Sequence, residues 1–418
     1  MKVQEVINQI EHLPKLHEKN DLSYIKEVLS YLGNPQNKVK TIHVTGTNGK
    51  GSTAYYITNL LKKAGLKTGL FVSPYISKFN ERIQVDLELI SDEELVNAYQ
   101  VVNEAINQIR KSKPQFSLVT FEFETAMAFW LFAHKECDYA VIEVGIGGEH
   151  DKTNVIDPEV SVITSIGLDH EDIIGPTIKD IAREKSGIIK RNKPVVFGKI
   201  APEPKAILKL RSKEVGANYF QYGKDFKIKI IAQKVYFSNK KYNLYFTYRS
   251  EVEAIDMALA IEVITLLPIK LTAQEVSETL NTTIIPGRYQ VIQKMPMIIL
   301  DGAHNVQAIS NLLSYVRKVP HQNLYFLMGM MKDKDLEDVF AEFESSDKFI
   351  LTRINYPRAA KFEDFPPSIK NKAEYIEDFA TAFDLAKNKL KKDDILVVTG
   401  SFYLVGAILN YWKEKYES

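Results

Sequence analysis

Residues 40–64 pass from an apolar, β-branched stretch, KTIHVT, through a glycine-rich turn, GTNGKGST, into AYYITNLLKKA, where apolar residues recur at helical spacing. Strand, glycine loop and helix in that order commit this part of the chain to an α/β architecture. The loop sets backbone N–H groups and the positive end of a helix at the carboxyl end of a strand, a setting that attracts anions. The turn departs from the standard phosphate loop, which asks for glycine, four residues, then Gly-Lys-Ser/Thr. Val44 stands where the first glycine belongs, and Gly51 separates Lys50 from Ser52. The chemistry survives this spacing. Gly46, Gly49 and Gly51 permit backbone angles denied to other residues, so consecutive N–H groups can converge on a phosphate. Lys50 can reach the terminal phosphates, and Ser52 or Thr53 can offer a hydroxyl to magnesium. The plain alternative is a tight structural turn, but a lysine and a hydroxyl in this setting favour phosphate.

The alternation continues beyond the loop. Short amphipathic helices are expected over 3–12 and 22–32, and longer ones over 92–111 and 120–134. Strands are expected at Thr68 to Val72, Asp138 to Val144 and Glu159 to Ser165. Near-continuous apolar strands separated by helices predict a parallel sheet covered on both faces. Residues 219–249 differ, alternating Tyr, Phe and Lys as a small antiparallel appendage would. After a helix over 253–267, IIPGRYQVI carries a Pro-Gly turn suited to a domain boundary. A second series follows: strands at Met297 to Leu300, Asn323 to Met328, Lys348 to Thr352 and Asp394 to Val398, with helices over 305–318 and 377–390. The expected architecture is a P-loop-type, mostly parallel N-terminal domain over 1–290 bearing the appendage, and a Rossmann-like α/β domain over 291–418.

Composition excludes several classes. Fifty-four basic against fifty-three acidic side chains leave a formal charge of +1, so no global field draws the chain to nucleic acid or an anionic membrane. The most apolar windows, such as Ala126 to Ala133, are far shorter than the roughly 20 residues of a membrane span. No apolar block marks a signal peptide near Glu5, Glu11 and Lys15, and Cys137, the single cysteine, fits a reducing, cytoplasmic setting.

Four further stretches can carry chemistry. EVGIGGEHDKTN begins with Glu143 at a strand end, where ligand sites of open α/β sheets lie and where a carboxylate can bind magnesium. TSIGLDHE places His170 beyond another strand, as a core residue, a surface residue or a metal ligand. In IAREKSGIIK, Lys185 has the composition of a solvated charge. DGAHN, with Asp301 and His304, follows a strand of the second series, and Arg288 precedes that strand. An arginine near a domain junction suits phosphoryl transfer, because it can neutralise developing charge.

Together with SPYISKFNERI, FEFETA, PGR, DKD and TGSFYL, these motifs occur in an order that resembles the folylpolyglutamate synthases, including the bifunctional dihydrofolate synthase form, within the Mur-ligase superfamily. The resemblance spans essentially the whole chain. The family's loop reads Gly-Thr-Asn-Gly-Lys-Gly-Ser/Thr, so it implies ATP contacts from Thr47, Asn48, Gly49, Lys50, Gly51 and Ser52, joined by Asp256, Arg288, Asp301 and His304. Magnesium at two sites is implied, with Ser52, Glu143, His170 and Lys185 as ligands and a monovalent cation admitted. Lys185 matches a lysine that family members carboxylate with CO2; Lys50, Lys185 and His170 are the implied catalytic residues. Ser73, Phe79, Arg82, Thr120, Phe121, Glu122, Phe123 and Asp151 match positions near the folate substrate. The implied reaction is ATP-dependent addition of L-glutamate to folate by a monomer, and the resemblance leaves open whether dihydropteroate is also an acceptor. The rival readings are the same chemistry on another acid and a nucleotide-binding module that has lost catalysis.

Three departures stand out. Glu253 and Asp256 replace the usual Gln and Asn, and an ionised Asp only accepts hydrogen bonds, which puts the base contact in question. Glu149 in Gly148-Glu149-His150-Asp151 stands where relatives carry arginine. Val306 replaces a proline after DGAHN.

Overall fold

The computed structural model describes residues 2–17 and 21–416. They form two compact units. The first takes the described residues of Met1–Tyr75, Phe79–Tyr248 and Val252–Thr283, and the second those of Ile76–Lys78, Arg249–Glu251 and Ile284–Ser418.

Eight strands build the large sheet of the first unit: β1 (Lys40–Thr45), β2 (Thr68–Phe71), β3 (Ile83–Val85), β4 (Glu88–Leu89), β5 (Tyr139–Glu143), β6 (Val160–Ile163), β7 (Val195–Phe197) and β8 (Tyr219–Gln221). Their spatial order is β4-β3-β2-β5-β1-β6-β7-β8, parallel from β2 to β8, with β3 and β4 as an antiparallel edge. β1 lies between β5 and β6, with Val44 opposite Glu143 and Thr45 opposite Ile163. The loops that leave these three strands therefore emerge side by side.

The helices of this unit are α1 (Val3–Glu11), α2 (Ser23–Tyr31), α3 (Lys50–Lys63), α4 (Asp92–Arg110), α5 (Thr120–His134), α6 (Glu171–Ile174), α7 (Ile178–Ser186), α8 (Pro202–Glu214), α9 (Glu251–Leu266) and α10 (Ala273–Thr282). Ser91 starts α4 as a capping box: its hydroxyl accepts from the Glu94 amide at 3.2 Å, while Glu94 accepts from the Ser91 amide at 2.8 Å. Side chains from α1, α2, α4 and α5 pack with Phe71, Ala140 and Ile142 in one core. The last two alternate along β5 with Val141, which is equally buried, so the strand is covered on both faces as its unbroken apolar run requires.

Two expectations are corrected here. The helix after the glycine loop begins at Lys50 rather than Ala54, because left-handed Gly49 already caps it. Tyr219–Gln221 do not belong to the antiparallel appendage; they pair in parallel with β7, where Tyr219 stacks on Phe197. Their aromatic alternation could not reveal a distant parallel partner. The appendage itself is the antiparallel trio β9 (Lys227–Ile231), β10 (Lys234–Ser238) and β11 (Asn243–Thr247), burying Val235, Phe237, Leu244 and Phe246.

The second unit has a six-stranded sheet made of β12 (Gln290–Lys294), β13 (Met297–Leu300), β14 (Leu324–Met328), β15 (Lys348–Leu351), β16 (Glu374–Tyr375) and β17 (Ile395–Thr399). The order is β12-β13-β17-β14-β15-β16, all parallel except edge strand β12. Side-chain alternation divides it cleanly. Ile299, Phe326 and Val397 join one core with helix Val306–Val316, while Ile298, Leu300, Leu396 and Val398 join another with helices Phe379–Lys389 and Phe402–Tyr416. No helix among the described residues is long and apolar enough to cross a membrane.

Candidate active site

The glycine loop is held from both sides by hydroxyl groups. Thr45 Oγ1 donates to the Gly147 carbonyl at 2.6 Å, and the Asn48 amide donates to Ser165 Oγ at 2.9 Å. Thr164 Oγ1 donates to the Asn48 carbonyl at 2.6 Å, and Thr47 Oγ1 bonds to both the carbonyl and amide of Gly167. Gly46 must lack a side chain, since a Cβ there would lie 1.9 Å from Thr164 Oγ1. Of the residues that supply these hydroxyls, only Thr47 was singled out from the sequence, as an ATP contact, although Thr164 and Ser165 lie inside the motif that contains His170.

Gly49 has φ of 85° and caps α3. A Cβ at this position would approach Asp256 Oδ1 to 2.4 Å. Gly49→Ala is therefore expected to cost about 1–2 kcal/mol for the left-handed backbone alone, with the clash added. Thermal unfolding and an ATP titration should both show the loss, and Asp256→Ala in the same chain should recover only the clash.

Lys50 Nζ lies over its own loop, donating to the carbonyls of Gly46 at 2.9 Å and Thr47 at 3.2 Å. Lys185 Nζ donates to the same Gly46 carbonyl at 3.0 Å. Lys185 is 4% exposed, which overturns its reading as a solvated charge. Thr177 and Asp180 form the capping box that starts α7, and Lys185 sits in the last turn of that helix, over which Gly148 packs closely. Burial first, and then the charge of Lys50, lower the Lys185 pKa to about 7.

Glu143 ends β5 nearly buried and accepts from the Ser73 amide at 2.9 Å. A Cβ at Gly51 would stand 3.5 Å from both of its carboxylate oxygens. The additional glycine thus keeps space open between the start of α3, which carries Ser52, and this carboxylate. The Glu143 carboxylate bordering this gap offers hard oxygen donors suited to magnesium, which commonly takes one or two protein ligands and completes its shell with phosphate and water. No group of three or more His, Cys, Asp or Glu side chains able to hold a metal assembles among the described residues. His170 precedes α6 with φ of 52°, and its side chain is 45% exposed.

The expected folate residues fall around the start of α5. Glu122 is fully buried; it accepts from the Val119 amide at 3.0 Å and pairs with His17 Nε2 at 2.7 Å and Lys152 Nζ at 3.4 Å. Thr120 Oγ1 lies 3.1 Å from the Leu13 carbonyl and receives Lys15 Nζ at 3.2 Å. Phe123 is core, while the partly exposed Phe121 stacks on Phe71. Arg82 pairs with buried Glu124 at 3.2 Å, and its guanidinium lies 5.2 Å from the Tyr75 ring and 5.7 Å from that of Phe79. Asp151 accepts from the Ile146 amide at 2.9 Å and from the amide and hydroxyl of Thr153. His17, Glu124 and Lys152 were missed, since each partner lies far away in sequence.

The Glu253 and Asp256 departures find partners. Asp256 accepts from Thr53 Oγ1 at 3.3 Å, and Glu253 accepts from the Tyr56 hydroxyl. Both donors are hydroxyls of α3, which suit a carboxylate. Glu149 is exposed, and the following His150 bonds to Glu184 through both its amide and Nδ1 at 2.9 Å.

In the second unit, Asp301 is nearly buried and accepts from the Tyr289 and Ala303 amides, each at 2.9 Å. Burial raises its pKa, with Arg288 opposing. Arg288 lies 4.5 Å above the Phe402 ring. His304 Nδ1 lies 2.9 Å from the Gly302 carbonyl, so Nδ1 carries the proton. Loops after β13 and β17 thus bring Asp301, His304 and Phe402 together at the carboxyl ends of parallel strands.

Residues 44–262 match the Mur ligase middle domain, and residues 287–402 match the Mur ligase glutamate ligase domain. The chain is 34% identical to folylpolyglutamate synthase of Lacticaseibacillus casei, over 98% of each chain. It is 32% identical to dihydrofolate synthase/folylpolyglutamate synthase of Bacillus subtilis, over 93% of this chain and 94% of that one. Among solved structures, apo L. casei FPGS superposes with a TM-score of 0.86 at 33% identity, covering 98% of each chain. An FPGS-AMPPCP-folate complex gives 0.85 at 33% identity, covering 98% of both chains. The E. coli FolC complex with DHPP and ADP gives 0.89 at 26%, covering 99% of this chain and 98% of that one.

Proposed function

The chain belongs to the folylpolyglutamate synthase family of Mur ligases, and from that membership we propose that it joins L-glutamate to the terminal carboxylate of a folate at the expense of ATP. The γ-phosphoryl group passes to that carboxylate, leaving ADP and an acyl phosphate. The amine of glutamate attacks the activated carbonyl carbon, and the tetrahedral intermediate expels phosphate as the amide forms. The observation that carries this reading is the grouping of Lys50, Lys185 and Glu143 around one glycine loop at the ends of three adjacent parallel strands.

The chain's own groups divide the work. Loop N–H groups and Lys50 hold the phosphates, Lys50 exchanging its carbonyl partners for phosphate oxygens. Ser52, Glu143 and His170 would hold one magnesium, and Lys185, carboxylated to an anionic carbamate, would hold a second. Bound there, the metal supplies positive charge that offsets the phosphates. A Lys185 pKa of about 7 supports the carbamate, because only the neutral amine adds to CO2. Arg288, Asp301 and His304 are proposed as further ATP contacts. Ser73, Phe79, Arg82, the start of α5 and Asp151 are proposed to face the folate. The lone buried cysteine supports a reducing, cytoplasmic setting.

Incubation with ATP, glutamate and either tetrahydrofolate or dihydropteroate, followed by mass spectrometry, tests the reading. Tetrahydrofolate should gain glutamate. A gain on dihydropteroate as well would make the enzyme bifunctional, and no gain on either would overturn the proposal.

A further inference from the structure

His43 occupies a place where an aliphatic side chain would be the simpler choice. It lies on β1 between Ile142 and Ser161 of the flanking strands and is wholly buried. Its Nε2 is 2.8 Å from Thr153 Oγ1, whose own proton goes to Asp151 Oδ1. The Thr153 oxygen must therefore accept from the imidazole, which puts the ring proton on Nε2. Nδ1 is bare and has no hydrogen-bond partner among the described residues. Burial lowers the pKa of His43 to about 3, so the ring remains neutral at ordinary pH.

Beyond Thr153 the chain of bonds fixes a carboxylate. The Thr153 amide also donates to Asp151 Oδ1 at 2.9 Å, and the Ile146 amide holds Oδ2 at 2.9 Å. A Cβ on Gly145 would lie 2.8 Å from the Phe121 ring and 3.3 Å from Asp151 Oδ2. An aromatic edge and a fixed acceptor therefore border the same bare glycine, an arrangement suited to a flat heterocycle with N–H donors.

We propose that His43 and Thr153 are positioning residues for Asp151, a hydrogen-bond chain from the central strand that sets this carboxylate for the pteroyl end of the substrate. The proposal rests on the folate reading above. His43 fixes the rotor of the Thr153 hydroxyl, the hydroxyl commits its proton to Oδ1, and the backbone amides of Thr153, Ile146 and Gly145 hold the carboxylate in one orientation. An unsatisfied Nδ1 is the cost of having a neutral Nε2–H donor there.

Four variants test it: His43→Leu and Thr153→Val break the chain, while His43→Gln and Thr153→Ser keep a donor in place. Breaking it should raise KM for folate about tenfold and leave KM for ATP within about twofold, whereas the conservative pair should stay within about threefold of the parent. Hydrogen exchange of the 145–154 segment should accelerate in His43→Leu and return toward the parent in His43→Gln. Thr153→Val is nearly isosteric and serves if His43→Leu fails to fold. An unchanged folate KM in Thr153→Val, an equal rise in both KM values, or failure of His43→Gln and Thr153→Ser to restore the parent values would overturn the proposal. Absence of ligase activity in the unmodified chain would strike the functional reading instead, while the exchange measurement would still judge the hydrogen-bond chain.

Discussion

Lys50→Ala is expected to lower ATP-dependent glutamate addition by about a thousandfold, the scale for removing a preorganised charge from a site where negative charge develops. The side chain is poised rather than idle: its ammonium already spans the Gly46 and Thr47 carbonyls of the loop. Those bonds can be given up for phosphate oxygens without moving the backbone, which the hydroxyls of Thr164 and Ser165 hold. The loss should therefore appear in kcat/KM with little change in thermal stability. Turnover near that of the parent would remove the glycine loop from the mechanism.

Lys185→Ala should be comparably inactive and should recover part of its activity with a small carboxylate such as acetate. The pH dependence follows from the same environment. With its pKa lowered to about 7, chiefly by burial and then by Lys50, the amine is mostly protonated below that value and mostly neutral above it. Carbamate formation needs the neutral amine, so activity that depends on it should rise as pH passes upward through about 7 and should fall when dissolved CO2 is stripped. Lys50→Ala removes a like charge and should move the Lys185 pKa upward. Full activity of Lys185→Ala without additives would remove the carbamate from the account.

The two lysines show how unequally the site could be read from sequence. Lys50 was legible because its meaning is local, a cation between glycines at the junction of an apolar strand and a helix. Lys185 reads as a solvated charge in EKSG; its burial depends on Gly148, thirty-seven residues earlier, packing against its backbone. The parallel sheets were legible because strands buried on both faces are continuously apolar. Helices α8 and α10 and the last helix, Phe402–Tyr416, were not anticipated. Thr272 and Glu275 in TAQE did offer a capping signal for α10. Asp256 was visible as a departure, but its partner Thr53 is 203 residues away, so only the fold shows that the carboxylate meets a hydroxyl.

The most direct test of the central claim follows oxygen. A folate whose terminal carboxylate carries heavy oxygen, incubated with ATP and glutamate, should deliver one of those oxygens to the released inorganic phosphate as the amide forms. Amide formation with unlabelled phosphate, or with the heavy oxygen recovered in AMP, would contradict phosphoryl transfer to the substrate carboxylate.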